Sequence, residues 1–262
     1  MMQSLHTAAT GMVAQQANLD VISNNLANVN TTGYKEAKAE FQDLIYQTHT
    51  AASVATSGSS ASPVTTQVGL GSKFSATTTN FTEGSLLSTG NPLDLAISGN
   101  GFFTVQMPDG TNAYTRDGSF KVDSSNILVT SDGYPLQPPI TMPQGATSIT
   151  VDAQGNVSAT DATNTVVTVS PPVQLTTFPN PGALARSGQN LFLANAAAGA
   201  PQSGKAGDNG AGTLVSGYQE GSNVQVVTEM VNMISAQRAY EINSKAIQTS
   251  DEMLQTVNGL KR

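Results

Sequence analysis

The stretch SNVQVVTEMVNMISAQRAYEINSKAIQTSDEMLQTVN, Ser222 to Asn258, contains neither glycine nor proline. Val226, Met233, Tyr240, Ile247 and Leu254 recur in it at seven-residue spacing, and Val227, Met230, Ile234 and Val257 widen parts of the stripe. A seven-residue apolar repeat keeps one narrow seam on one side of a helix, the coiled-coil arrangement. Ser222 with Gln225 reads as a capping box in which each side chain satisfies an orphan N–H at the helix start. A helix over the whole stretch would run about 55 Å at about 1.5 Å per residue. That is far longer than the usual helix of about 11–12 residues, and its polar face excludes a membrane span. The seam is leaky, because Gln237, Ser244 and Asp251 occupy the companion positions. Such a helix is marginal alone and calls for partners.

The other end of the chain repeats the pattern. Leu5, Met12, Leu19 and Leu26 lie seven residues apart, with Ala8, Ala9, Gln15 and Ile22 between them. Gly11 costs such a helix about 1 kcal/mol relative to alanine. The pattern stops at Asn28-Val29-Asn30-Thr31-Thr32-Gly33, a cluster of turn formers ending in a glycine suited to a helix C-terminus. An intramolecular pair of the two helices and contacts between copies would draw on the same seam residues.

Between the helical ends the period drops to two. Leu93, Leu95 and Ile97 alternate, as do Phe103, Val105 and Met107, then Tyr114 and Arg116, then Phe120 and Val122. Asp-Gly pairs at 109–110, 117–118 and 132–133 suit tight hairpins. Short runs at Ile149–Val151, Val166–Val169, Val173–Leu175 and Leu191–Leu193 extend the series. From Leu44 to Ser72 no residue carries a formal charge, and Gln47 to Thr66 is rich in Ser, Thr and Ala, which reads as a linker or arm. The fold class expected is α+β and multidomain, with coiled-coil-like terminal helices flanking an inserted all-β domain. The expected boundaries are 1–33 and 222–262 for paired terminal helices, 34–80 for the extended arm and 81–221 for the β domain.

Composition narrows the function. The 262 residues carry 11% charged side chains and a net charge of −7, against roughly 25% charged in an average domain. There is no basic patch for nucleic acid or an anionic membrane surface. Cysteine is absent, which removes thiol catalysis, Cys-based zinc sites and disulfides. No apolar run approaches the roughly 20 residues needed to span a bilayer, so membrane insertion is not expected. The first helix lacks the basic and apolar regions of a secretory signal, so export, where it occurs, uses no cleaved leader.

No catalytic constellation emerges. The histidines, His6 and His49, have no partner at metal-ligand spacing. Gly199 to Ala206 imitates a phosphate-binding loop but has Ala206 where Ser or Thr would hold magnesium, and no helix pattern follows. Gly69-x-Gly71 and Gly99-x-Gly101 lack the third glycine of a dinucleotide site. Among Asp94, Asp109, Asp117, Asp123 and Asp132, three stand in Asp-Gly turns, where the side chain serves turn geometry. No metal site, cofactor or catalytic residue is assigned. An extracellular β-domain binding module or a polysaccharide-cleaving enzyme remains as an alternative class, disfavoured by 5% aromatics and no tryptophan.

Three segments resemble the rod and hook proteins of the bacterial flagellum. They are SNNLANVNTTGYK (23–35), DLAISGNGFF (94–103) followed by YTRDGSF (114–120), and LVSGYQEGSNV (214–224) leading into EMVNMISAQRAYEINSKAIQTSDEML (229–254). Within that family the chain is most similar to distal-rod members, with a proximal-rod or short hook-type paralogue as the runner-up. The resemblance implies a structural, non-enzymatic subunit that polymerises helically with copies of itself into a rigid hollow drive shaft carrying torque from motor to hook. It also implies a place in the basal body across the periplasm. The implied partners are proximal rod proteins, the hook protein, the ring bushing in the peptidoglycan and outer membrane, and the flagellar type III export apparatus. The seam residues Leu5, Met12, Leu19, Ile22, Leu26, Val226, Met230, Met233, Tyr240, Ile247 and Leu254 would form the inner tube. Phe41 and Ile45, in Phe41-Gln-Asp-Leu-Ile45, have the form of an export-gate motif, and local packing would use the same side chains. The 44–72 arm matches a region thought to stiffen the shaft.

Overall fold

Both seven-residue repeats fold as helices, α1 over Met2–Ala27 and α2 over Val226–Gly259. The computed structural model describes residues 2–50, 65–143, 145–161, 166–208 and 210–259. After α1 the turn formers end at Gly33, whose φ of 67° is a conformation that glycine adopts without a Cβ penalty. The second helix starts four residues later than the sequence pattern indicates. Ser222 Oγ accepts from the Val224 N–H at 3.3 Å, so the hydroxyl is consumed by a local turn before the helix begins. The helix therefore does not start at Ser222 as the sequence reading placed it, and Glu229 puts an acid in the first turn of α2, where the helix dipole favours it.

The chain divides into two units, described in turn. The first comprises Met1–Leu26, Ala37–Thr78 and Val226–Arg262. Besides the helices it holds β1 (Ala37–Asp43) paired with β4 (Ser72–Thr79), and β2 (Tyr46–Thr50) paired antiparallel with β3 (Thr66–Gly69). Leu44 N–H donates to Gly71 O and Leu70 N–H to Ile45 O, so the two pairs join into one two-stranded ribbon. The stretch expected to be an arm is built from this ribbon. Its centre, residues 51–64, lies outside the described residues.

The second unit comprises Ala27–Glu36 and Thr79–Gln225. Its strands are β5 (Leu86–Ser88), β6 (Leu95–Ser98), β7 (Phe102–Gln106), β8 (Asn112–Thr115), β9 (Lys121–Val122), β10 (Leu128–Val129) and β11 (Leu136–Gln137). They continue with β12 (Ala146–Val151), β13 (Val157–Asp161), β14 (Val166–Val169), β15 (Gln174–Thr177), β16 (Ala185–Gly188), β17 (Leu191–Leu193), β18 (Gln202–Lys205), β19 (Thr213–Ser216) and β20 (Tyr218–Glu220). The main sheet has the order β16-β17-β8-β7-β15-β18, with β11 also on β7. A separate meander, β12-β13-β14, is antiparallel throughout. The last strands return to the first: β19 pairs with β6 and β20 with β5.

Strand β7 is buried on both faces. Phe103 and Val105 enter the main core with Leu95, Ile97, Phe120, Leu136, Ile140 and Leu175. Phe102 points the other way, into an aromatic cluster with Tyr114, Phe178 and Phe192. There Tyr114 and Phe178 meet edge-on at 4.7 Å between ring centroids, the geometry that ring quadrupoles favour. On that same side Thr104 Oγ1 and Thr176 Oγ1 lie 2.8 Å apart, and Thr176 reaches the exposed Ser203 at 2.7 Å, so both buried threonine hydroxyls have partners.

Two of the three Asp-Gly pairs make the hairpin turns read from sequence. Gly110, between β7 and β8, and Gly133, between β10 and β11, have φ of 81° and 86°. Asp117-Gly118 does something else. Leu95 N–H donates to Gly118 O at 3.0 Å, and a Cβ on Gly118 would overlap the Leu95 carbonyl. Glycine stands there to let two backbones approach.

Candidate functional site

In the first unit the helices pair antiparallel. Asn25 Nδ2 donates to Glu229 Oε2 at 3.3 Å, and the face of Gly11 lies against the Asn243 side chain. From Gly11 to Asn25 the first helix advances as far as the second retreats from Asn243 to Glu229, which fixes both direction and register. Following the same seven-residue step, the half-buried Asn18 stands at the level of Ala236. Glu229, Ala236 and Ser250 are the buried residues of α2, so the row that meets α1 is small or polar. Gly11 on one helix and Ala236 on the other let the axes approach closely.

The large apolar residues flank that row. Ile22 is buried, and Leu5, Met12, Leu19, Leu26, Met233, Ile247 and Leu254 are half-buried. Val226, Met230 and Tyr240 are exposed. Gln237 and Asp251 are exposed and Ser244 half-buried, so the companion row lies at Glu229, Ala236, Asn243 and Ser250 rather than at the positions read from sequence. A search for large side chains overlooks a row without them. The exposed face of α2 begins with Val226, Val227, Met230, Val231 and Ile234, with Val227 75% and Val231 57% exposed. Five large apolar side chains within nine residues are thus left uncovered.

Asn25 also holds the first strand of the ribbon. Its Nδ2 donates to Ala37 O at 2.8 Å and its Oδ1 accepts from Ala37 N–H at 3.0 Å, so the amide imitates a strand neighbour. Farther along the ribbon, Phe41 meets Phe74 edge-on at 6.0 Å and Ile45 is 80% exposed. The phosphate-loop imitation is a strand: Gly204 and Lys205 belong to β18. Among the described residues no group of three metal-ligating side chains forms, and no helix is long and apolar enough to cross a membrane.

The second unit holds a buried ionic cluster whose members stand in the quoted motifs without a role legible from sequence. Lys35 Nζ donates to Glu220 Oε1 at 2.5 Å and to Thr82 O at 2.7 Å. Arg116 Nη1 donates to Glu220 Oε2 at 3.2 Å and to Ile97 O at 3.3 Å, and Nη2 donates to Gly99 O at 2.6 Å. The Lys35 and Glu220 side chains are fully buried and that of Arg116 nearly so. Burial pushes Lys35 and Arg116 below their ordinary ranges, and the Glu220 carboxylate opposes that. Glu220 further accepts from the Gly84 N–H at 3.0 Å through Oε1, and its carbonyl accepts from the Gly33 N–H at 2.8 Å. Each of the three quoted segments supplies one charge: Lys35 from 23–35, Arg116 from 114–120 and Glu220 from 214–224. The signal was present as charged residues inside motifs with few other charges.

Around this cluster the loop after α1 is fastened at several points. Thr32 Oγ1 donates to Asp117 Oδ1, Asn190 Nδ2 to Thr32 O, and Arg186 Nη2 to Lys35 O at 2.5 Å. Asn223 Oδ1 accepts from the Glu36 N–H at 2.7 Å, while its Nδ2 donates to Asn80 O. The arrangement suits mechanical cohesion.

Comparison with known proteins covers both ends and the middle. A family model for the flagella basal body rod protein matches residues 5–35, one for the flagellar hook protein FlgE/F/G D1 domain matches 96–159, and one for the flagellar basal body rod FlgEFG protein C-terminal region matches 215–260. The flagellar basal-body rod protein FlgG of Borreliella burgdorferi is 50% identical, with 100% of each chain covered. FlgG of Caulobacter vibrioides is 47% identical over 99% of this chain and 100% of its own. The flagellar hook protein FlgE of Helicobacter mustelae is 44% identical over 52% of this chain and 30% of its own.

Proposed function

The chain belongs to the FlgG family of flagellar basal-body rod proteins, and on that premise we propose that copies of it stack helically into the distal rod, a rigid hollow shaft that transmits torque to the hook. It is a structural subunit of the flagellar rod. Its role in the shaft involves no catalytic step. The observation that carries the proposal is the uncovered apolar face at the start of α2, Val226, Val227, Met230, Val231 and Ile234. α1 occupies the small or polar row of α2 and leaves that face open, and neighbouring copies would bury it at about 25 cal/mol per Å² of apolar surface. Heterologous contacts that do not close generate a helical filament.

The helices would line the inner tube, with proximal rod proteins below, the hook protein above and the ring bushing around the shaft where it crosses the periplasm. Delivery by the flagellar type III apparatus needs no cleaved leader, and Phe41 and Ile45 would meet the export gate. A hook-type role is the second reading; full-length agreement with rod relatives against about half-length agreement with the hook relative favours the rod. The seam residues give the test. Leu26→Asp or Ile247→Asp should block polymerisation while the β unit stays folded, and normal filaments from either variant would overturn the proposal.

A further inference from the structure

The buried cluster is assembled from parts far apart in the chain. Lys35 comes first, Arg116 follows, and Glu220 arrives 185 residues after Lys35 and 104 after Arg116. Until it arrives, the interior holds two cations without the carboxylate that both of them bond. Glu83 acts electrostatically on both cations, yet its Oε2 is engaged by the Gly99 N–H at 3.2 Å, and among the described residues no ion pair joins it to either. Burying two like charges without a counter-charge is strongly unfavourable. Glu220 also lies on the last strand of the unit, which pairs with the first, β5.

We propose that Glu220 is the closing latch of the β unit: the unit stays open until β20 docks and sets this carboxylate between Lys35 and Arg116. Docking then joins four segments at once. Gly33 is held by the Glu220 carbonyl, Lys35 and Gly84 by Oε1, and Arg116 by Oε2. On the rod reading above, the β unit of an exported chain stays unlocked until β20 has itself been delivered; that consequence rests on the reading, whereas the latch does not.

Refolding of the purified full chain from denaturant, followed by pulse-labelled hydrogen exchange, tests the latch without any polymer. Amides of β7, β8 and β15 should gain protection in the same phase as those of β20. Glu220→Gln should slow that phase at least tenfold or abolish it. Because this variant could fail for reasons unrelated to charge, the pair Lys35→Met with Glu220→Gln is the control, and removing one orphaned cation should restore a measurable part of the protection. Protection of β7, β8 and β15 well before β20, refolding of Glu220→Gln at the original rate, or no recovery in the pair would each overturn the latch. None of these readouts depends on whether the chain builds a rod.

Discussion

Asn25 and Glu229, 204 residues apart, share a hydrogen bond of 3.3 Å inside the antiparallel helix pair, and the same amide closes two more with the backbone of Ala37. One side chain therefore ties together α1, α2 and the first strand of the ribbon. Asn25→Ala leaves the Ala37 backbone and the buried Glu229 short of partners, at about 1–3 kcal/mol for each unsatisfied group. Asn25→Asp is expected to be worse, since it sets a second carboxylate against Glu229. Urea denaturation followed by far-UV circular dichroism should rank the chains wild type, Asn25→Ala, Asn25→Asp in falling order. Equal midpoints would remove Asn25 from the junction.

Gly11 tests the closeness of the helix pair. A Cβ there would meet the Asn243 amide, the movable end of a side chain, while alanine gains about 1 kcal/mol of helix propensity. Gly11→Ala should be neutral or mildly stabilising. Gly11→Leu should cost about 1–3 kcal/mol through overpacking, read as a lower melting temperature of the helical signal.

Two glycines of the β unit should respond differently to the same change. Gly110→Ala places a residue at φ 81° in open space, a strain of roughly 1–2 kcal/mol. Gly118→Ala must push the Leu95 backbone away and should cost more, visible as a larger drop in the denaturation midpoint. The opposite order would contradict the close approach of Gly118 and Leu95.

Acid should loosen two turns. The Thr111 hydroxyl and N–H hold Asp109 below its ordinary range, and Asn156 with the Gln154 N–H does the same for Asp152. A carboxylate with a depressed folded value contributes stability above its unfolded value and loses it as pH falls through the folded one. Amide NMR shifts of Thr111 and Gln154 should titrate with midpoints below about 4. Midpoints at or above that value would mean the hydrogen bonds do not favour the charged forms.

Much of this was legible in the sequence. Seven-residue spacing identified both helices because large apolar side chains mark the stripe, and Asp-Gly marked the hairpins at 109–110 and 132–133. The small or polar row of Glu229, Ala236, Asn243 and Ser250 was missed for a physical reason: close packing of helix backbones selects residues with little apolar signal. Asp117-Gly118 misled because glycine serves both turns and close approaches, and only the Leu95 backbone distinguishes them. Lys35, Arg116 and Glu220 were visible as charges, but only tertiary contact joins residues so distant in sequence. The start of α2 slipped because Ser222 satisfies a turn as readily as a cap.

The exposed face of α2 is tested most directly by negative-stain electron microscopy of the concentrated, purified chain beside the Val227→Asp, Val231→Asp double variant. Both side chains are exposed, so monomer stability should not change, and circular dichroism melts should overlay. Wild type is expected to form straight tubes and the variant to remain unassembled. Tubes from the variant as abundant as those from wild type would show that copies meet elsewhere, and the assembly role of this face would be wrong.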